Sequence, residues 1–278
     1  MPDTELLEAI IDAAIDAGRT IQDIHRNASA GLAVRAKADS SPVTLADSAS
    51  EAIILEQLAR CSPGTPVVAE EEVAEGRVPA VAEEFFLVDP LDGTKEFIAG
   101  RSEFTVNIAL VRDRVPVVGV VYAPGLGRLY AANASARVVF RCDLDLHKAR
   151  NPGGDDGVAP ARTPIHVRAV PLQGITAVAS RSHSSPETEA YLAGYKIAER
   201  ISIGSSLKFC LIAEGSADLY PRLGPTMEWD TAAGHAVVLA AGGSVIAADG
   251  QPLLYGKPSY RNPFFIASGP LAPRPVAG

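Results

Sequence analysis

The chain is poor in cysteine and shows no pairing pattern in what it has. Its three cysteines, Cys61, Cys142 and Cys210, are odd in number and far apart, with no C-x-x-C spacing. That argues against a disulfide framework and against a thiolate metal site, and it fits a reducing cytosol. Positive charge is not in excess either: 25 Lys and Arg stand against 33 Asp and Glu, a net charge of −8. A chain this acidic has no electrostatic footprint for a nucleic-acid backbone or an anionic lipid surface, although a small anion could enter a locally positive or metal-loaded pocket. No apolar run approaches the ~20 residues of a membrane span. The start, Met1-Pro-Asp-Thr-Glu5, lacks the cationic segment and apolar stretch of a secretory leader. Long polar tracts and internal repeats are missing as well. The expectation is a soluble cytoplasmic protein with no membrane span and no nucleic-acid partner.

With 47% hydrophobic and 21% charged residues over 278 positions, the chain can bury a core in one large or two modest domains. Apolar residues recur at helical spacing over 4–27, with Thr4 as the expected N-cap, and again over 45–60. Short buried strands are expected at 66–69 and 84–88, longer ones at 104–111 and 115–123, and a hairpin at 129–132 and 136–141. Residues 143–163 change character, and Asn151-Pro-Gly-Gly-Asp-Asp-Gly157 reads as a loop and a boundary. Beyond it come a strand at 176–180, a helix at 185–194, a strand at 196–203, a helix at 207–213, a strand at 217–221, a helix at 231–241 closed by Gly242-Gly243, and strands at 243–247 and 264–267. The alternation predicts α/β layering in two subdomains: an N-terminal α+β unit over 1–142, an irregular connection over 143–163, and a C-terminal α/β unit over 164–278.

The chemistry concentrates at strand ends. Asp89-Pro-Leu-Asp92-Gly-Thr94 follows a buried strand, and Pro90 is expected to turn the chain there. Such a turn brings the Asp89 and Asp92 carboxylates together with the Leu91 carbonyl, a hard-oxygen set suited to Mg²⁺. Gly93 and Thr94 then present N–H groups to a phosphate oxygen. The plain alternative is an Asp-Gly hairpin with solvated carboxylates. Glu70, in an acidic triplet at the end of the 66–69 strand, adds a third carboxylate to the same crevice, or else lies on a solvated face. Asp230, ahead of the 231–241 helix, is an N-cap, a metal ligand, or both. Asp47 sits at the entrance of the second helix, where the dipole alone favours an acid.

Asp89-Pro-Leu-Asp-Gly-Thr94 followed by Trp229-Asp-Thr-Ala-Ala-Gly-His-Ala-Val237 resembles the two signatures of the inositol monophosphatase superfamily, the lithium-sensitive, magnesium-dependent phosphatases. The resemblance runs from Lys37 to Asn262. Lys37-Ala-Asp-Ser-Ser-Pro-Val-Thr44, Val88–Phe97, Ser180-Arg-Ser-His183, Ile203-Gly-Ser-Ser-Leu-Lys-Phe-Cys210 and Tyr220-Pro-Arg-Leu-Gly-Pro-Thr226 are similar to the CysQ-type 3'(2'),5'-bisphosphate nucleotidase branch. Two departures stand out. Ala69 replaces the usual Ser or Gly before the Glu pair, and the 143–163 stretch is longer than the family pattern.

The resemblance implies a layered αβαβα sugar-phosphatase-like fold. It implies two or three Mg²⁺ held by Glu70, Asp89, the Leu91 carbonyl, Asp92 and Asp230, with Glu70 counted among the catalytic groups. It also implies an attacking water oriented by Asp47 and Thr94, and phosphate donors at Gly93 and Thr94. Lys37, His183, Ser205, Ser206, Lys208, Arg222 and Asp230 become substrate contacts. The implied reaction removes the 3'-phosphate of adenosine 3',5'-bisphosphate, with the corresponding phosphosulfate as a further substrate, in support of sulfate assimilation. An inositol 1-phosphatase, a fructose 1,6-bisphosphatase-like enzyme and a catalytically weak regulatory protein are the competitors. The enzyme is expected as a monomer or homodimer, with peripheral contact to the cytoplasmic face of the inner membrane left open. Cys210, in an apolar helical run, is expected to be structural and not a nucleophile.

Overall fold

The computed structural model describes residues 1–27, 34–36, 42–80, 82–144, 161–180, 186–274 and 276. Two helices open the chain, α1 (Asp3–Asn27) and α2 (Leu45–Cys61). Thr4 is not the cap expected of it: α1 begins at Asp3, and Thr4 lies inside the first turn, between the acids Asp3 and Glu5 that the helix dipole favours there. Between the two helices, β1 (Val34–Ala36) and β2 (Pro42–Thr44) pair antiparallel.

A seven-stranded sheet follows. Its strands are β3 (Val67–Ala69), β4 (Glu84–Asp92), β5 (Thr105–Arg112), β6 (Val115–Ala123), β7 (Arg128–Asn133), β8 (Val138–Asp143) and β9 (Arg162–Pro164), side by side in chain order. β3 and β4 run parallel, and every later neighbour pair is antiparallel. Two short helices leave strand ends in this half: α3 (Glu70–Ala74) after β3 and α4 (Thr94–Ile98) after β4. Of the stretch read as irregular, 145–160 lie outside the described residues, and its far end is β9, the edge strand of this sheet.

The second sheet has five strands, β10 (Ile175–Ser180), β11 (Ile197–Ile203), β12 (Leu219–Arg222), β13 (Ser244–Ala247) and β14 (Phe265–Ser268), in the order β11-β10-β12-β14-β13. Three helices accompany it: α5 (Pro186–Leu192), α6 (Leu207–Ala213) and α7 (Ala232–Ala240).

The unbroken apolar runs of β4 and β5 are explained by burial on both faces. Strand alternation sends Phe86, Val88, Ile108 and Leu110 to one side, into a cluster with Leu7, Ile10, Ile54 and Leu58 of α1 and α2. It sends Phe85, Leu87, Ala109 and Val111 to the other, into a cluster with α6, α7 and the second sheet. On the far face of that sheet, Leu192 of α5 packs with Ile175, Ala177, Leu219 and Ile266. The five layers are therefore α1/α2, sheet, α6/α7, sheet, α5, the αβαβα order that was expected. Among the described residues, no helix is long and apolar enough to cross a membrane.

α7 packs closely on the first sheet at Gly119 of β6. A Cβ there would lie 2.6 Å from the Ala233 carbonyl oxygen and 2.7 Å from the Ala236 Cβ. Gly119→Ala should therefore lower unfolding stability by about 1–3 kcal/mol, measured by urea denaturation. Unchanged stability would show that α7 can move off the sheet freely.

Candidate active site

The site starts from an irregularity in β4. Asp89 pairs with Asn107 of β5 and Asp92 pairs with Thr105, so Pro90 and Leu91 together oppose Val106 alone. In a regular strand, residues three apart face opposite sides; one extra residue puts them on the same side. Asp89 and Asp92 thus share the face defined by Thr105 and Asn107. The Asp-Gly hairpin and the turn at Pro90 are both replaced by this bulge, since β4 runs on through Asp92. Leu91 N–H donates to Asp89 Oδ1 at 3.0 Å. Gly93 then takes φ +91°, where a Cβ would be strained and 3.2 Å from the Glu103 carbonyl oxygen, and α4 begins at Thr94.

Asp47 does two things at once. In the first turn of α2, its Oδ2 accepts from Thr44 N–H and Thr44 Oγ1, each at 2.7 Å, while Ala46 N–H donates to Thr44 Oγ1, a complete capping box. That leaves Oδ1 for Thr94 Oγ1, at 3.1 Å. Thr94 Oγ1 also lies 3.1 Å from the Leu91 carbonyl oxygen. The cap and the pairing with Thr94 are compatible because they use different oxygens.

Glu70 opens α3. The residue before it, Ala69, has no side-chain acceptor for the helix start, and Glu51 of α2 supplies both carboxyl oxygens instead, to Glu71 N–H at 2.9 Å and Glu72 N–H at 3.0 Å. Burial raises the Glu51 carboxyl to about 7, even against the pull of the two amides.

The opposite wall comes from the second half of the chain. Ser205 Oγ lies 2.7 Å and Ser206 Oγ 3.1 Å from Asp92 Oδ2, and Ser206 Oγ also donates to the Asp230 carbonyl at 2.7 Å. Asn107 Nδ2 donates to Ser206 Oγ at 3.0 Å, and Thr105 Oγ1 bonds Ser205 Oγ. Ser205 has φ +59°, an unfavourable region for a side-chain-bearing residue, and its bonds to Asp92 hold it there. Lys208 is buried, with its Nζ donating to the Ser205 carbonyl and lying 5.5 Å from the centre of the Tyr220 ring. Arg222 folds over its own turn, donating to the Pro225 carbonyl at 3.0 Å, and its buried Nε has no hydrogen-bond partner in the protein. Asp230 is not the N-cap of α7: Thr231 holds that position, and Asp230 Oδ2 accepts from Met227 N–H at 2.8 Å.

Glu70, Asp92, Gly93, Thr94, Ser205, Ser206, Lys208, Arg222 and Asp230 line one crevice. Lys37 and His183 lie outside the described residues. Sequence reasoning missed Glu51, Thr105 and Asn107. The signals were a carboxylate one helical turn beyond Asp47, and two polar residues alternating at the start of an apolar strand.

Burial, followed by the charges of Glu70, Asp92 and Asp230, holds the Asp89 carboxyl well above the usual carboxylate range. Burial and the charges of Asp92 and Glu70 do the same to Asp230, against the pull of Met227 N–H and Arg222. Burial lowers Lys208 to about 8, opposed by Asp92. As arranged here, no three Asp, Glu, His or Cys groups among the described residues enclose one point as an ion would require. Asp92 leans on the two serines and Asp230 on Met227 N–H, so ligation requires these side chains to rotate. The donor set still fits a hard divalent cation: it is all oxygen, and crowding strains it electrostatically in a way that added positive charge relieves.

The chain matches the inositol monophosphatase family over residues 3–266. It belongs to the inositol monophosphatase family. Among relatives of that family, the 3'(2'),5'-bisphosphate nucleotidase CysQ of Escherichia coli O157:H7 is 42% identical over 264 residues, covering 95% of this chain and 99% of the relative. The crystal structure of CysQ from Bacteroides thetaiotaomicron superposes with a TM-score of 0.80 at 39% identity, covering 96% of this chain and 98% of that one. An inositol monophosphatase from Anabaena (Nostoc) sp. PCC 7120 superposes with a TM-score of 0.70 at 26% identity, covering 96% and 92%. This family member carries its fold end to end.

The raised carboxyls set a pH dependence. Asp89 and Asp230 titrate higher folded than unfolded, so above about pH 4 the folded chain holds more protons than the unfolded one, and metal-free stability falls as pH rises through the raised values. Asp89→Asn keeps an acceptor for Leu91 N–H and removes one charge. It should raise the metal-free stability by about 1 kcal/mol at neutral pH and little at pH 4, read by thermal unfolding in chelator. Equal stabilisation at both pH values would mean that charge repulsion is not the cause.

Proposed function

We propose that the chain is a divalent-metal-dependent 3'(2'),5'-bisphosphate nucleotidase, which hydrolyses the 3'-phosphate of adenosine 3',5'-bisphosphate to the 5'-monophosphate and inorganic phosphate. The observation that carries this reading is that buried Lys208 and the turn-fixed Arg222 line the same crevice as Asp92 and Asp230. A site for a single phosphate needs the carboxyl side; two further cations suit a substrate with a second phosphate, which arginine can bind bidentately. The near-full-length likeness to CysQ proteins supports the same choice.

Glu70, Asp89, the Leu91 carbonyl, Asp92 and Asp230 would hold Mg²⁺, in two or three ions. Bound there, Mg²⁺ neutralises the ester's charge and acidifies a bound water. The protein's part is orientation and proton handling. With Asp47 Oδ2 saturated by Thr44, Oδ1 takes the Thr94 hydroxyl proton into its hydrogen bond. Thr94 Oγ1 is then left with lone pairs to accept a hydrogen from the attacking water, fixing that water on one side of the phosphorus. Once the Leu91 carbonyl serves a cation, Asp47 is the remaining acceptor for Thr94. The N–H groups of Gly93 and Thr94 hold phosphate oxygens, with Ser205 and Ser206 beside them. Lys37 and His183 complete the nucleotide contacts in this reading. Adenosine 3'-phosphate 5'-phosphosulfate is a further substrate, the setting is the cytoplasm, and the metabolic role is the removal of a by-product of sulfate assimilation.

Phosphate release from a set of esters with Mg²⁺ tests the choice: the bisphosphate nucleotide should give a higher kcat/KM than inositol 1-phosphate or fructose 1,6-bisphosphate, and preference for inositol 1-phosphate would overturn it. Arg222→Ala should lower kcat/KM for the bisphosphate nucleotide by about 10- to 100-fold, the loss of a charge-assisted hydrogen bond. A simple monophosphate ester should lose far less. Equal losses on both would place the second phosphate elsewhere.

A further inference from the structure

We propose that Glu51 is a positioning residue for the metal site, serving as the N-cap that α3 lacks and so fixing the direction of Glu70. The inference rests on the reading of Glu70 as a ligand. It is carried by hydrogen-bond geometry.

α3 is only five residues long and starts after Ala69, whose side chain caps nothing. A helix that short does not persist by itself, and its first N–H groups need acceptors. Glu51 is the residue that provides them. It is 3% exposed, lies on a different helix 20 positions back, and meets Glu71 N–H and Glu72 N–H with one oxygen each. A carboxyl group meets both N–H groups at once, one with each oxygen, which a cap with a single acceptor cannot do. Glu70 is the first residue of the turn so anchored, and its carboxyl sits against Asp89.

The placement of Glu51 ties this anchor to the other half of the site. Asp47 and Glu51 are four apart on α2, hence on one face. Asp47 reaches forward to Thr94 at the end of β4, and Glu51 reaches to α3 at the end of β3. Ser50, between them, has its Oγ 3.4 Å from the Pro90 carbonyl oxygen in the bulge. One helical turn of α2 therefore sets the spacing between the proton-handling pair and the Glu70 carboxyl. Loss of Glu51 frees the start of α3 while leaving Asp47, Thr94, Asp89 and Asp92 where they are.

The test is Mn²⁺ binding to chelator-stripped full-length protein, followed by the loss of free-ion paramagnetic signal, for wild type, Glu51→Gln, Glu51→Ala and Leu58→Ala. Leu58 is buried on α2 in the α1/α2 cluster, seven residues beyond Glu51, and serves as the structural control. Glu51→Ala should weaken Mn²⁺ binding by about 10- to 100-fold, the usual consequence of losing a partner that orients a ligand. Glu51→Gln, which keeps one acceptor oxygen, should weaken it less, and Leu58→Ala should lower the melting temperature with the dissociation constant held within about twofold. For the Glu51 variants, kcat at saturating Mg²⁺ and KM for substrate should stay near wild type while the Mg²⁺ requirement rises. If folded Glu51→Gln and Glu51→Ala bind Mn²⁺ as wild type does, or if Leu58→Ala weakens binding as much as Glu51→Ala, the inference is overturned. If wild type itself binds no Mn²⁺, the functional reading fails first and takes the inference with it.

Discussion

Asp89 and Asp92 can face the same way only because two residues of β4 oppose one of β5. Without that extra residue, strand alternation would place one carboxyl in the crevice and send the other into the layer beneath α1 and α2, among apolar side chains where an unpaired charge is costly. The rest of the site is built around this constraint. β3 runs parallel to β4 and ends with Ala69 opposite Val88, so Glu70 arrives beside Asp89. Thr105 and Asn107, the partners of Asp92 and Asp89 across the strand pair, present hydroxyl and amide groups toward the second half of the chain. There Ser205 and Ser206 complete a polar seam between the two sheets.

The seam has a consequence for stability. Buried carboxyls gathered on one face repel each other and raise one another's proton affinity, so the folded chain carries an electrostatic burden that its apolar layers must offset. Such local cost at a site is common where binding a charged ligand is the purpose. The hydroxyls on Asp92 and the Met227 N–H on Asp230 ease the repulsion without removing it.

Much of this was legible in the sequence for a simple reason: acidic residues at strand ends stand out against apolar strands. Glu70, Asp89 and Asp92 were visible as acids following buried runs and Asp230 as an acid ahead of a helix; α/β layering followed from the alternation of element types, and the full layer order from the family resemblance. What was hidden depended on register or tertiary distance. Pro90 suggested a turn that would bring Asp89 and Asp92 together; the bulge that does so is set by the partner strand and leaves no mark of its own. Asp230 looked like an N-cap because acids favour that position, yet the helix starts one residue later and Asp230 bonds backward to Met227. Glu51 was not singled out, since nothing local indicates that α3, which begins 19 residues further on, lacks a cap of its own.

The central claim, that the carboxyls gathered by the β4 bulge form a divalent-metal centre, is tested most directly by diffraction from crystals soaked in Mn²⁺, with an anomalous difference map. The account predicts peaks bounded by Asp89, Asp92 and Glu70, with Asp230 at a neighbouring one, and with Asp92 turned away from Ser205 and Ser206. A map with no peak in that crevice at saturating Mn²⁺, or with Mn²⁺ bound only elsewhere on the protein, would contradict it.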